Sequence, residues 1–101
     1  MKLYYLPGSC SLATHIVLRE VGAAFTLERY DPSKGATETG ATYTAINAKA
    51  RVPALALDSG DVLTEGAALV QYVAGEHPGS ELALPADALA RTRVQEALSF
   101  V

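Results

Sequence analysis

A single thiol stands where a helix should begin. The run Pro7-Gly8-Ser9-Cys10-Ser11 reads as a turn leading into a helical pattern, which places Cys10 in a first helical turn. Unpaired backbone N–H groups and the positive end of the helix dipole favour a thiolate there, the nucleophilic form of the side chain. A helix terminus supplies only ~0.3–1 kcal/mol of that preference. Ser9, Ser11 and Tyr5 are near enough in sequence to add hydrogen bonds. The competing reading is a small buried filler, because free cysteine is among the most buried residue types. Position alone leaves both readings open.

Two further features have the makings of a binding site. Val52-Pro53 opens a short apolar run. A trans proline there would simply mark a strand start, the commoner case. A cis bond would leave the Val52 N–H and C=O facing a cleft, where an extended peptide could pair with them as an added strand. Thr64-Glu65-Gly66-Ala67 opens a second helical pattern. Free N–H groups at a helix start bind carboxylates, Glu65 suits a ligand ammonium, and Gly66 lets a ligand approach the backbone. The bland alternative is an ordinary acidic first turn. His15, five residues after Cys10, is off its helical face and reads as a packing or surface residue. His77 beside Pro78 reads as helix-end punctuation. Cys10, His15 and His77 fit no zinc spacing, so no metal site is expected.

These residues need elements to hold them. Lys2–Leu6 reads as a strand, and Cys10–Val21 as a helix with Ser9 as N-cap and Gly22 beyond its end. Leu12/Ile16 and Ala13/Val17/Val21 are spaced i, i+4 and predict its buried face. Phe25–Tyr30 alternates, with Phe25 and Leu27 inward and Thr26 and Glu28 outward. That is a βαβ unit with parallel strands. Asp31–Thr42 reads as loop, with at most a short helix near Tyr43–Ile46. Ala54–Leu57 and Val62-Leu63 flank the turn Asp58-Ser59-Gly60-Asp61 as a hairpin. Thr64 is the expected N-cap of a helix Glu65–Ala74, which carries Leu69, Val70 and Val73 inward. The economical arrangement is an α/β (α+β) domain: βαβ then ββα, a four-stranded mixed sheet with flanking helices. After a linker over 79–86, Asp87 caps a last helix. Its Ala90, Val94, Ala97, Leu98 and Val101 form a stripe, which must pack on the first domain, on another chain or on further protein.

Composition narrows the classes. Half the 101 residues are hydrophobic and 19% are charged, so a folded rather than a disordered chain is expected. A net charge of −3 with eight scattered Lys and Arg argues against nucleic acid. No apolar run approaches the ~20 residues of a membrane span. The apolar stretch before Pro7 is too short for a secretory leader, and one cysteine makes no internal disulfide; the cytoplasm is the expected location.

Taken together, three stretches resemble the bacterial beta-class glutathione S-transferases: Met1-Lys2-Leu3-Tyr4-Tyr5-Leu6-Pro7-Gly8-Ser9-Cys10-Ser11-Leu12-Ala13, Tyr43-Thr44-Ala45-Ile46-Asn47 with Val52-Pro53-Ala54-Leu55, and Leu63-Thr64-Glu65-Gly66-Ala67-Ala68 with Gln71-Tyr72. The resemblance covers essentially the whole chain. It implies a thioredoxin-like glutathione-binding domain over 1–78, with 87–101 as the first helix of an otherwise absent helical domain. It implies that Cys10 faces the sulfur of glutathione and that Pro53 is cis. Val52 would pair through its backbone with the cysteinyl part, and Glu65 and the Gly66 N–H would hold the γ-glutamyl end. It also implies glutathione as co-substrate with no separate cofactor, a small electrophile as the other partner, and a homodimer. Gly35 stands where relatives often carry Lys, beside Lys34, and Ser99 where many carry Asn. Asn47-Ala48-Lys49-Ala50 lacks the Pro and Gly common in that loop.

Two other functions compete with a transferase. One is a non-catalytic transferase-like domain for binding or assembly, marked by no affinity for glutathione. The other is a glutaredoxin-like oxidoreductase. Cys10-Ser11-Leu12-Ala13 has no resolving cysteine, so only a monothiol version survives.

Overall fold

The computed structural model describes residues 1–100. Its elements are β1 (Lys2–Tyr5), α1 (Ser11–Glu20), β2 (Thr26–Asp31), β3 (Ala36–Thr37), a 3₁₀ turn (Tyr43–Ala45), β4 (Ala54–Ala56), β5 (Val62–Thr64), α2 (Gly66–Gly75) and α3 (Ala88–Ser99). The sheet runs β3-β2-β1-β4-β5. β1 and β2 are parallel, as the βαβ reading requires, and every other pair is antiparallel. The sheet therefore has five strands where four are expected. The extra one, β3, is two residues long and lies within the stretch read as loop, too short to leave a period-2 pattern.

Strand alternation divides the core in two. Leu3 stands opposite Leu27 on one side and Leu55 on the other. Leu3 and Leu55 meet Leu18 of α1 and Leu69 and Val73 of α2, all essentially inaccessible. Tyr4, opposite Glu28 and Ala54, points to the other face and packs with Tyr30, Tyr43 and Ala54. This is the thioredoxin-like arrangement, with α1 and α2 side by side on one face of the sheet.

The buried face of α1 differs from the expected one. Val17 and Val21 pack against the core as expected, and Ser11, Thr14 and Leu18 are the buried positions, while Leu12 and Ile16 are 55% and 51% exposed and Ala13 is exposed. The phase is set at the helix start. Ser11 Oγ accepts from the Leu6 N–H and donates to the Leu6 carbonyl, both at 3.2 Å, which turns Ser11 toward the end of β1. Small polar residues therefore face the sheet, and the apolar i, i+4 pair is left outside. Ser9 is one residue too early for the cap, which falls at Cys10, although Ser9 Oγ still accepts from the Ser11 N–H at 3.2 Å.

Two more local expectations are corrected. Thr64 ends β5, and the cap of α2 is Glu65. Glu28, expected outward toward water, is 4% exposed. Its carboxylate accepts from Lys2 Nζ and from Thr39 Oγ1, both at 2.8 Å, which satisfies the charge. Burial would raise its pKa; the hydrogen bonds from Lys2, Thr37 and Thr39 and the Lys2 charge outweigh that and hold it below the ordinary carboxylate value.

Asp87 caps α3 as expected, its Oδ2 accepting from the Ala90 N–H at 2.9 Å. Ala90, Val94 and Leu98 are half-buried. Val94 and Leu98 share a small apolar groove with Val17, Val70, Ala74 and Leu84. Gln71 of α2 donates to Gln95 at 2.6 Å. Part of the stripe thus packs on the first helices, while Ala97 is exposed and Val101 lies outside the described residues.

Candidate functional site

Sheet register brings the candidate residues together. Tyr4, Ala54 and Thr64 form one row across β1, β4 and β5. The chain leaves β1 just beyond Tyr4, enters β4 just before Ala54 and leaves β5 at Thr64, all at the same end of the sheet. Cys10, Val52-Pro53 and Glu65-Gly66 follow or precede that row by a few residues. All five line one cleft of about 450 Å³, together with Leu6, Tyr30, Pro32, Ala50 and Arg51.

The Val52–Pro53 bond is cis. The Val52 carbonyl is not free, as a bare cis turn would leave it: Cys10 Sγ donates to it at 3.3 Å. The Val52 N–H has no partner among the described residues. Cys10 is exposed, which removes the buried-filler reading. Ser9 and Ser11, expected as thiol partners, bond each other at 2.7 Å and the end of β1 instead.

Behind Val52 the loop is clamped. Tyr43 Oη and Asn47 Nδ2 both donate to the Arg51 carbonyl, at 2.7 and 2.8 Å. Tyr43 is fully buried, stacked on Tyr30 with centroids 3.9 Å apart and edge-on to Tyr4 at 6.0 Å. Burial, with the neighbouring Tyr30 and Tyr4 phenols, pushes its pKa up to about 12. Sequence reading missed these clamp residues as site components, and their signal was faint. Tyr43 and Asn47 precede Pro53 by ten and six residues, and only their polar tips separate them from ordinary core.

Glu65 adopts φ 75°, a region that L side chains rarely occupy. Such a backbone at the mouth of a cleft is the kind of outlier that collects at ligand sites. Its carboxylate is paired with Lys49 Nζ, which also donates to Thr64 Oγ1 at 2.9 Å. The Lys49 hydrogen bond and charge, with Arg51 adding, hold the Glu65 carboxyl below its ordinary value. A Cβ on Gly66 would meet Pro53 Cγ at 3.9 Å, an ordinary contact, so packing does not require glycine there.

Other candidates fall elsewhere. His15 lies between Tyr5 and Phe25 and accepts from Arg19 Nε at 3.3 Å, clear of the cleft. Lys34 lines an adjoining recess that shares Leu6, Tyr30 and Pro32 with the cleft. Ser99 sits on α3 and accepts from Gln95 at 2.8 Å. No group of three His, Cys, Asp or Glu among the described residues could hold a metal ion. No helix among them is long and apolar enough to cross a membrane. The cleft therefore combines an exposed thiol, an open backbone N–H and a carboxylate paired with Lys49, a set suited to a small peptide bearing an amine.

Comparison with known proteins gives the family of the chain. Residues 1–75 match the family described as the glutathione S-transferase N-terminal domain, and the chain belongs to that family. It is 48% identical over all 101 residues to the glutathione S-transferase GstA of Escherichia coli O157:H7, covering 50% of that protein. It is 38% identical to the glutathione S-transferase GST-4.5 of Xanthomonas campestris, covering 48% of it. A sphingomonad glutathione S-transferase solved in complex with glutathione superposes with a TM-score of 0.93 at 46% identity, over 99% of this chain and 50% of that one. The chain thus spans about half the length of the relatives it matches.

Proposed function

We propose that the cleft binds glutathione and that the protein is a glutathione transferase seen through its glutathione-binding half. The observation that carries this is the convergence of Cys10, Val52, Pro53, Glu65 and Gly66, from three separate segments, on one cleft. The open Val52 N–H suits the cysteinyl carbonyl of an extended tripeptide. Glu65 suits the γ-glutamyl ammonium, and the Gly66 N–H, at the start of α2, suits its carboxylate. Cys10, beside the Val52 carbonyl, would then face the ligand sulfur. In conjugation the glutathione thiolate forms a bond to an electrophilic carbon, and the displaced group leaves with the bonding pair.

The exposed thiol favours a second chemistry on the same site. Cys10 thiolate attacks the glutathione sulfur of a mixed disulfide and releases the other thiol; a second glutathione then resolves the Cys10 disulfide as oxidised glutathione. We further propose residues 1–78 as the glutathione-binding unit, 79–86 as linker and 87–101 as the first helix of a helical domain. That domain would supply the electrophile pocket and much of a homodimer interface in a cytoplasmic enzyme. The test is calorimetric titration of the chain with glutathione, beside Cys10→Ala. Saturable binding is expected, with Cys10→Ala losing thiol reactivity. Absence of binding up to millimolar glutathione would favour a scaffold reading.

A further inference from the structure

We propose that Lys49 is an internal occupant of the amine subsite, seated on Glu65 in the free protein and displaced when a ligand ammonium binds. The proposal deepens the glutathione reading and rests on Glu65 as the amine acceptor. A lysine ε-ammonium and a peptide α-ammonium present the same group to a carboxylate, three N–H donors on one positive charge. Lys49 already fills that role: its Nζ is paired with Glu65 Oε2 and donates to Thr64 Oγ1 at 2.9 Å.

The two partners differ in reach and in how their backbones are held. Glu65 projects from a constrained backbone at φ 75°, at the junction of β5 and α2. Lys49 reaches it on a flexible four-carbon stem, and its side chain is 51% exposed. Only its root is fixed, by the Lys49 N–H donating to Asn47 Oδ1 at 3.1 Å. The next two residues, Ala50 and Arg51, line the cleft, so the lysine is anchored beside the ligand space and can swing out of it. A ligand amine arriving at Glu65 must break this pair or sit against a second ammonium, and either lowers its affinity. A ligand without the amine leaves the pair intact. Lys49 therefore sets how strongly the cleft answers to the amine of its ligand.

The test titrates the full chain with two ligands: glutathione, and the analogue whose γ-glutamyl α-amine is replaced by hydrogen. Wild type, Lys49→Met and Lys49→Arg are compared, with circular dichroism checking that each is folded. Lys49→Met should bind glutathione about 1.5- to 5-fold tighter, the range set by an exposed ion pair. It should bind the analogue as wild type does, and Lys49→Arg should restore wild-type affinity for glutathione. Unchanged or weaker glutathione binding by Lys49→Met, or equal tightening of both ligands, would overturn the proposal while leaving the glutathione reading intact. No saturable glutathione binding by wild type or Lys49→Met would overturn that reading and the proposal with it.

Discussion

The Arg51 carbonyl is where fold and site are joined, and removing its two donors separately and together shows how. Tyr43 Oη and Asn47 Nδ2 reach that one oxygen at 2.7 and 2.8 Å, one residue before Val52. Tyr43→Phe keeps the stacked ring on Tyr30 and loses the hydroxyl alone, a cost of about 0.5–1.5 kcal/mol. Asn47→Ala also removes the Oδ1 acceptor of the Lys49 N–H, and should cost about 1–3 kcal/mol. Each single variant leaves the carbonyl one donor. The double variant leaves none, so its cost should exceed the sum of the singles by about 0.5–3 kcal/mol. Urea unfolding followed by far-ultraviolet circular dichroism measures all four proteins, and each kcal/mol should lower Tm by about 4–8 °C. Glutathione affinity should weaken most in the double variant, because Val52 is then free to move. Additivity within about 0.5 kcal/mol, with glutathione affinity unchanged throughout, would refute the idea that the clamp positions Val52.

Three further outcomes are expected. Tyr43 holds its proton more tightly when folded than the ordinary phenol at 10.0, with a pKa of about 12; its contribution is present below pH 10 and is lost as pH rises toward 12, so the alkaline fall in stability should be shallower in Tyr43→Phe. Glu28 is held below the ordinary carboxylate value. Its contribution is present above the ordinary carboxylate value of 4.5 and is lost as pH falls through the lower folded value, so the stability gap between wild type and Glu28→Gln should close on acidification. Leu69→Ala, in the centre of the core, should cost about 2–5 kcal/mol, whereas Leu12→Ala, on the exposed face of α1, should stay within about 0.5 kcal/mol; equal costs in denaturant unfolding would contradict the observed helix face.

What the sequence disclosed follows from how local its signals are. Cys10, Val52-Pro53 and Glu65-Gly66 each lie at a junction marked by Pro, Gly or Ser, so turn chemistry exposed them. The register that gathers them into one cleft is a property of strand pairing, and the βαβ–ββα order implied it only through the hairpin and the parallel pair. The face of α1 was misread because its sheet-facing residues include Ser11 and Thr14. Periodicity identifies apolar stripes, whereas here a polar anchor at Leu6 chose the phase. Glu28 was misread for a related reason. Alternation sees a charge and sends it outward, but Lys2 and Thr39, distant in sequence, satisfy it inside. β3 is two residues long, pairing with the end of β2 and bridging to Thr42, so no pattern announces it. Lys49 carries no local signal at all, because its partner lies sixteen residues away across the cleft.

The central claim, that this cleft is a glutathione site, is tested most directly by titrating isotopically labelled chain with glutathione and following backbone amide resonances. The expected result is saturable shifts concentrated at Cys10, Val52, Glu65 and Gly66, with the largest change at the open Val52 N–H. Saturable shifts confined to another surface, or no shifts at millimolar glutathione, would contradict it.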